Sequence, residues 1–151
     1  MVTAGGDGLD SNGSLAITGG VTLVSTASNG NGALDYDSTG TITGGIVVAA
    51  DTGSMSENFS TDSTQGALLV SVGTQSAGTR VTLTDADGNV VASYAPTTSY
   101  NTVVVSAPAM TQGSSYTVST GGTVTADAEG FAASGTLSGG TAVSTTALDS
   151  L

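Results

Sequence analysis

A repeat with a period of 25 residues is the feature that most constrains this chain. Residues 8–23 read GLDSNGSLAITGGVTL and residues 33–48 read ALDYDSTGTITGGIVV, so the two stretches align without a gap. A fixed period of this length is typical of solenoids, in which each repeat forms one coil that stacks on its neighbour. The matched positions are Leu9 and Leu34, Asp10 and Asp35, Ile17 and Ile42, and the glycine pairs 19–20 and 44–45.

Apolar residues alternate along each copy, which is the pattern of a β-strand with one buried face. In the first copy, the odd-numbered residues from 15 to 23 are predicted to share that face. Parallel strands of successive coils lie ~4.8 Å apart, so Ile17 is predicted to stack on Ile42. By the same offset, Leu23 stacks on Val48. The glycine pair is predicted to mark a bend of the coil.

Less regular stretches complete the predicted stack. The polar residues 28–32 (SNGNG) are predicted to form a turn. A third coil is predicted from residues 55–59 and 67–72, with Phe59 over Leu34 at the same offset of 25.

The region after the repeats predicts antiparallel strands. Residues 79–84 (TRVTLT) and 90–94 (VVASY) alternate around the turn sequence DADGN at 85–89, which indicates a hairpin. Residues 101–106 (NTVVVS) predict another strand. Tyr116 follows Gly113 by three residues, a spacing that resembles the tyrosine corner of immunoglobulin-like sandwiches. Residues 121–151 contain further glycine pairs and predict either strands returning to the stack or a loosely packed extension.

These patterns predict an all-β fold, a short parallel β-helix of 25-residue coils capped by an antiparallel, immunoglobulin-like sandwich portion. The predicted parts are β-helix coils at 1–72, the cap at 73–120 and tail strands at 121–151, with one shared core.

The charge of the chain limits its partners. Twelve acidic residues face one basic side chain, Arg80, and the net charge is −11. Such a charge repels phosphate backbones, so neither nucleic acid nor an anionic membrane is a predicted partner. The chain has no His and no Cys, which excludes thiol chemistry and most zinc sites. We therefore predict a non-catalytic protein.

The quoted repeats, together with AGTRVTLTDADGNVVASYAP, SYNTVVVSAP and GSSYTVSTGG, resemble the C-terminal part of a bacterial family of secreted, carbohydrate-binding domain-containing proteins. The resemblance covers about residues 5–122. It implies a right-handed parallel β-helix, an extracellular or cell-surface location, and a polysaccharide or other glycan as partner. Members of this family usually have further coils before this part, so we expect the sequence to be a piece of a longer protein.

Two sets of residues are candidate sites. Asp10 and Asp35 are equivalent in the repeat, as are Asn12 and Asp37, so stacking would align their side chains in one acidic column. Carboxylates and loop carbonyls are the ligands that Ca²⁺ prefers. The column therefore predicts a calcium site, and the alternative is a row of solvated turn residues.

Sugar sites usually present flat aromatic rings. The chain has no Trp, and Tyr94 and Tyr100 flank one loop, which makes them the candidate carbohydrate-binding residues. The predicted function is a non-catalytic extracellular carbohydrate-binding module. The alternative is a structural or adhesive surface module, with self-association through an open β-helix edge. Enzyme activity on polysaccharides is less favoured. Glycoside hydrolysis needs an acid that faces a second carboxylate across a cleft, and elimination usually needs a basic residue, of which the chain has only Arg80 in a predicted hairpin strand. Ice binding is also less favoured, because it needs a regular Thr ladder and Thr41 is replaced by Ala16 in the first copy.

Overall fold

The computed structural model describes residues 1–26, 32–52 and 57–148. These residues form three β-sheets and no helix, so the all-β prediction is confirmed, and none of the sheets closes on itself. No helix that could span a membrane occurs in this part of the chain. The strands are β1 (Val2–Ala4), β2 (Leu9–Ser11), β3 (Leu15–Thr26), β4 (Leu34–Tyr36), β5 (Gly40–Asp51), β6 (Ala67–Gln75), β7 (Val81–Thr84), β8 (Val90–Tyr94), β9 (Tyr100–Ser106), β10 (Ser115–Thr120), β11 (Phe131–Ala132) and β12 (Thr141–Ala147).

The repeat register follows the sequence period. We call residues 8–26 the first unit and residues 33–51 the second unit. Strands β3 and β5 pair in parallel, with Ile17 opposite Ile42 and Leu23 opposite Val48. Strands β2 and β4 also pair in parallel, with Asp10 opposite Asp35. The predicted stacking of the two units is therefore confirmed at these positions.

The glycine pair inside each long strand changes which side chains face the core. The β3–β5 register shifts between residues 17 and 21, and Gly20 and Gly45 have φ values of +77° and +85°. Ile17 packs in one buried cluster while Leu23 packs in another. The prediction that all odd residues from 15 to 23 share one face is wrong, because the irregularity interrupts the two-residue alternation of the strand.

In the first sheet, which has the order β1-β3-β5-β9-β6, the second half of β5 is buried on both faces. Val47 and Ala49 belong to one cluster, and their neighbours Val48 and Ala50 belong to the other. This explains the continuous apolar run IVVAA in β5, since a strand covered on both sides has no polar face.

The second sheet has the order β11-β8-β7-β10-β12 and contains the predicted hairpin. The turn is held by Asp85, whose Oδ1 accepts the backbone N–H groups of Asp87 at 3.0 Å and Asn89 at 2.9 Å. The Oη of Tyr116 accepts the N–H of Thr111 at 2.7 Å, so the tyrosine bonds back to the preceding backbone as predicted. One large cluster contains buried residues from both five-stranded sheets, so the two sheets share a core.

One prediction about the path of the chain is wrong, and one of the two alternatives for the tail is excluded. Strand β6, predicted to contribute to a third coil, pairs antiparallel with β9. Phe59 does lie in the same buried cluster as Leu34. In the tail, β12 pairs antiparallel with β10, so this strand extends the second sheet and does not return to the parallel stack. Most of the predicted turn at 28–32, and residues 55–56 of the predicted third coil, lie outside the described residues.

Candidate functional site

The outer edge of the second unit is covered by a short polar segment, residues 57–65, which we call the edge cap. Ser60 Oγ accepts the N–H of Gly40 at 2.9 Å, and Ser63 Oγ accepts the N–H of Ile42 at 3.0 Å. Gln65 Nε2 donates to the Gly45 carbonyl at 2.7 Å. Side chains thus take the place of a neighbouring strand on this part of β5.

Backbone groups of the edge cap complete this arrangement. The N–H of Ser60 donates to the Gly40 carbonyl at 2.6 Å, and the N–H of Gln65 donates to the Ile42 carbonyl at 3.3 Å. Glu57 accepts the N–H of Tyr36, so the cap also reaches the end of β4. An edge whose donors and acceptors are satisfied in this way cannot readily accept another strand.

The outer edge of the first unit has no such cover among the residues that the structure describes. Strand β1 pairs only with Val24–Thr26. In the described part of the chain, residues 15–23 have no strand partner on this side. Val21 is 49% exposed here, whereas its stacking partner Ile46 is packed against the core. We call residues 15–23 the open edge.

The two glycine pairs have unequal surroundings. A Cβ added at Gly44 would lie 2.6 Å from the carbonyl oxygen of Thr18, and one at Gly45 would lie 2.6 Å from the backbone of Gly19. A Cβ added at Gly19 or Gly20 would meet nothing within 4 Å. The positive φ of Gly20 explains why a glycine occupies that position. Gly19 has no positive φ, and a Cβ added there would have no neighbour within 4 Å. Its equivalent Gly44 is required because another unit lies on it.

The acidic column forms as predicted in register. Asp10 and Asp35 are directly opposite each other, and the backbone N–H of Asp37 donates to the carbonyls of Ser11 and Gly13 on either side of Asn12. Partial burial raises the pKa of Asp35 above its usual value of 3.8, and neighbouring carboxylates raise it further. These carboxylates belong to Asp7, Asp10 and Asp37.

Nothing in this geometry tests the calcium prediction. Among residues 1–26, 32–52 and 57–148, no group of three or more Asp, Glu, His or Cys side chains is arranged to hold a metal ion. Asp7 already has a structural role, since its Oδ1 accepts the N–H of Gly32 at 2.9 Å. Calcium at Asp10, Asn12, Asp35 and Asp37 stays a prediction.

The two tyrosines proposed for sugar stacking are not on the surface. Tyr94 is 0% exposed and its Oη lies 3.2 Å from Ser25 Oγ, and Tyr100 is 1% exposed and donates to the Thr79 carbonyl at 2.6 Å. Burial raises the pKa of Tyr100 to about 12. Their predicted exposure beside a loop is wrong, because both rings fill the core shared by the two large sheets.

The other aromatic residues present no exposed ring either. Phe59, Tyr116 and Phe131 are buried, and Tyr36 is half-buried, with its hydroxyl donating to the carbonyl of Asn58. The aromatic stacking platform that many sugar sites use is therefore not formed by any of the six aromatic side chains of this protein.

No family model matches the chain, and neither the curated proteins nor the solved structures include a significant match. The resemblance to carbohydrate-binding domain-containing proteins accordingly stays a prediction.

Sequence reasoning missed the edge cap. Ser60, Ser63 and Gln65 belong to a polar stretch, STDSTQG, with the composition of an ordinary loop. Their bonds to β5 depend on how the chain turns after the second unit, and no local pattern reports that path. The unexplained Gly19 was visible in the repeat, but only the structure separates it from Gly44.

Proposed function

We propose that this protein is a non-catalytic structural or adhesive module that forms the closed end of a β-solenoid. In this proposal the first and second units are successive coils of a right-handed parallel β-helix. The edge cap and an antiparallel, immunoglobulin-like portion close one end of the stack. A further coil of the same 25-residue type adds a parallel strand at the open edge. The proposed setting is the bacterial cell surface or the extracellular space.

The observation that carries this proposal is the difference between Gly19 and Gly44. Gly44 lacks a side chain where the carbonyl of Thr18 approaches it from the preceding unit. Gly19 stands at the equivalent place in the first unit, where no atom of the described chain lies within 4 Å of an added Cβ. A preceding coil with the same irregular strand would bring a carbonyl to Gly19, which explains why a glycine stands there.

Strand addition is also the chemistry that the open edge offers. In the described chain no strand pairs with residues 15–23 on this side, and the backbone donors and acceptors of such an edge would bind an extended chain through main-chain hydrogen bonds. A second copy of this protein is a poorer partner than a further coil. Each copy has a net charge of −11, and the opposite end of its stack is occupied by the edge cap.

Carbohydrate binding is the alternative function and depends on the resemblance alone. With the aromatic rings buried, such a site would need polar side chains only. Binding of any plant, mucin or bacterial polysaccharide by the full chain on a glycan array would favour that alternative.

A tandem duplication tests the proposal. A second copy of residues 8–32 is inserted directly before residue 8 of the full chain. We expect a single cooperative unfolding transition whose Tm is about 4 to 8 °C higher, because one more coil is buried on the open edge. The matched control carries Asp in place of Ile17 and Leu23 in the added copy only, and it should show no gain.

Two results would overturn the proposal. One is an added copy that is digested by protease at the same rate as in the control. The other is a Tm equal to or below that of the parent chain. Light scattering on the parent chain separates self-association from coil addition, since a dimer at micromolar concentration would make a second copy the partner.

A further inference from the structure

A cleft of about 430 Å³ lies beside the open edge, between the first unit and the loop that leads into β11. Its apolar lining residues are Met1, Phe131, and Val21 and Leu23 from β3. The acidic residues Asp127 and Glu129 complete the lining. The cleft thus combines an apolar floor with two negative charges, and it borders the place where an added strand would lie over Val21.

The loop that supplies the carboxylates is firmly held. Asp127 Oδ1 accepts the N–H groups of Glu129 at 3.0 Å and Phe131 at 2.9 Å. The carbonyl of Gly130 accepts hydrogen bonds from Arg80 Nη1 at 2.9 Å and from the N–H of Ala95 at 3.3 Å. Phe131 is in turn paired with Tyr94 in the second sheet. The two acidic residues therefore stand on a loop that is fixed to the body of the protein.

No basic side chain of the protein itself is left to pair with these carboxylates. Arg80 is the one Lys or Arg residue of the chain, and its Nη1 is bonded to Ser93 Oγ as well as to Gly130. The rest of the protein is strongly acidic. Apart from the amino terminus of Met1, which also lines the cleft, a charge that neutralises these two carboxylates must come from whatever occupies the cleft.

We propose that the strand accepted at the open edge carries a Lys or Arg side chain into this cleft. The inference rests on the proposed function, because it names the chemistry of the coil that adds to the first unit. The aliphatic stem of the side chain covers Val21 and Leu23, and its cationic end faces Asp127 and Glu129. The residue stands at the position of the added strand that lies over Val21, as Val21 lies over Ile46.

The duplicated chain provides the test. Val21→Lys and Val21→Glu are made in the added copy only, so that the two variants differ in the sign of one charge. We expect the Lys variant to have a Tm about 2 to 4 °C above that of the Glu variant at low salt. The difference should shrink in 1 M NaCl, and it should vanish when Asp127→Asn and Glu129→Gln are combined.

Equal Tm values for the Lys and Glu variants in a well-folded duplicated chain would overturn this inference and leave the proposed function standing. A Tm difference between the Lys and Glu variants that persists after the Asp127→Asn and Glu129→Gln changes would overturn it as well. The charge would then interact with other groups of the protein.

A second measurement does not require the duplicated chain to fold. Synthetic peptides of residues 8–26, with Lys or Glu at the position of Val21, are titrated into the full-length parent chain. We expect the Lys peptide to bind at least about fivefold more tightly. Equal affinities would contradict the inference. If neither these peptides nor the unmodified peptide binds and the duplicated chain is unfolded, the proposed function fails, and this inference fails with it.

Discussion

The two outer edges of the repeat stack differ in how their backbone groups are paired. On the second unit, the backbone groups of Gly40 and Ile42 are paired with the edge cap. On the first unit, residues 15–23 have no strand partner on their outer side in the described chain. Proteins usually block strand edges that must stay single. The proposal that a further coil adds at the first unit rests on this difference between the two edges of the described chain.

The largest expected difference in stability between the two units concerns their glycines. Gly44→Ala should lower the free energy of unfolding by about 2 to 3 kcal/mol, because its Cβ would lie 2.6 Å from a backbone oxygen that cannot move alone. Gly19→Ala in the same chain should leave stability unchanged or raise it by up to about 1 kcal/mol, since a strand alanine is less flexible when unfolded. Urea unfolding of both variants measures the difference.

The same two substitutions also test the proposed function in the duplicated chain. There Gly19 of the original copy is covered by the added coil, so its change to Ala should become as costly as Gly44→Ala. A Gly19→Ala change that stays harmless in a folded duplicated chain would mean that the added copy does not stack as the first unit stacks on the second.

A smaller effect is expected at the edge cap. Ser63→Ala removes the acceptor of the buried Ile42 N–H and should lower the free energy of unfolding by about 1 to 2 kcal/mol. The neighbouring, exposed Thr64→Ala is the matched control and should change stability by less than about 0.5 kcal/mol. Equal effects of the two changes in chemical denaturation would show that the cap bond does not matter to the second unit.

The smallest effect concerns the acidic column that crosses both units. The pKa of Asp35 is raised in the folded protein, so its ionisation opposes folding. Asp35→Asn should therefore raise stability at pH 7, by less than about 1 kcal/mol. The gain should be lost as the pH falls through the raised pKa and below 3.8, where the Asp35 carboxyl group is neutral in both the folded and the unfolded state. Thermal melts from pH 3 to pH 8 measure this dependence.

Calcium can be tested with the same variant. If the column binds Ca²⁺, the ion offsets the repulsion around Asp35, and millimolar Ca²⁺ should raise the Tm of the parent chain more than that of Asp35→Asn. An unchanged Tm of the parent chain at millimolar Ca²⁺ would contradict the calcium prediction.

Much of the local structure could be predicted from the sequence. The period of 25 places Asp10 opposite Asp35 and Ile17 opposite Ile42, because parallel coils of equal length must align residue by residue. The hairpin around Asp85 and the bond of Tyr116 to the backbone were also predicted, since both depend on residues close together in the chain.

The candidate site was less accessible to sequence reasoning. Tyr94 and Tyr100 looked like loop-flanking surface residues, yet they fill the core between two sheets that lie far apart in sequence. Alternation along β3 predicted one buried face, yet the glycine irregularity sends Ile17 and Leu23 to different clusters. Neither outcome could be predicted from residues that are close together in the sequence.

The sequence by itself determined the repeat, its register and the strands with short-range turns, because these depend on spacing and on the conformational preferences of neighbouring residues. The tertiary structure alone decided which edge is covered and which has no strand partner in the described part of the chain. The edge cap reaches β5 only because the chain turns back after the second unit, and the Asp127–Phe131 loop reaches the first unit only because β11 joins the second sheet. Long-range packing sets these paths, and so it sets the edge at which the proposed further coil would add.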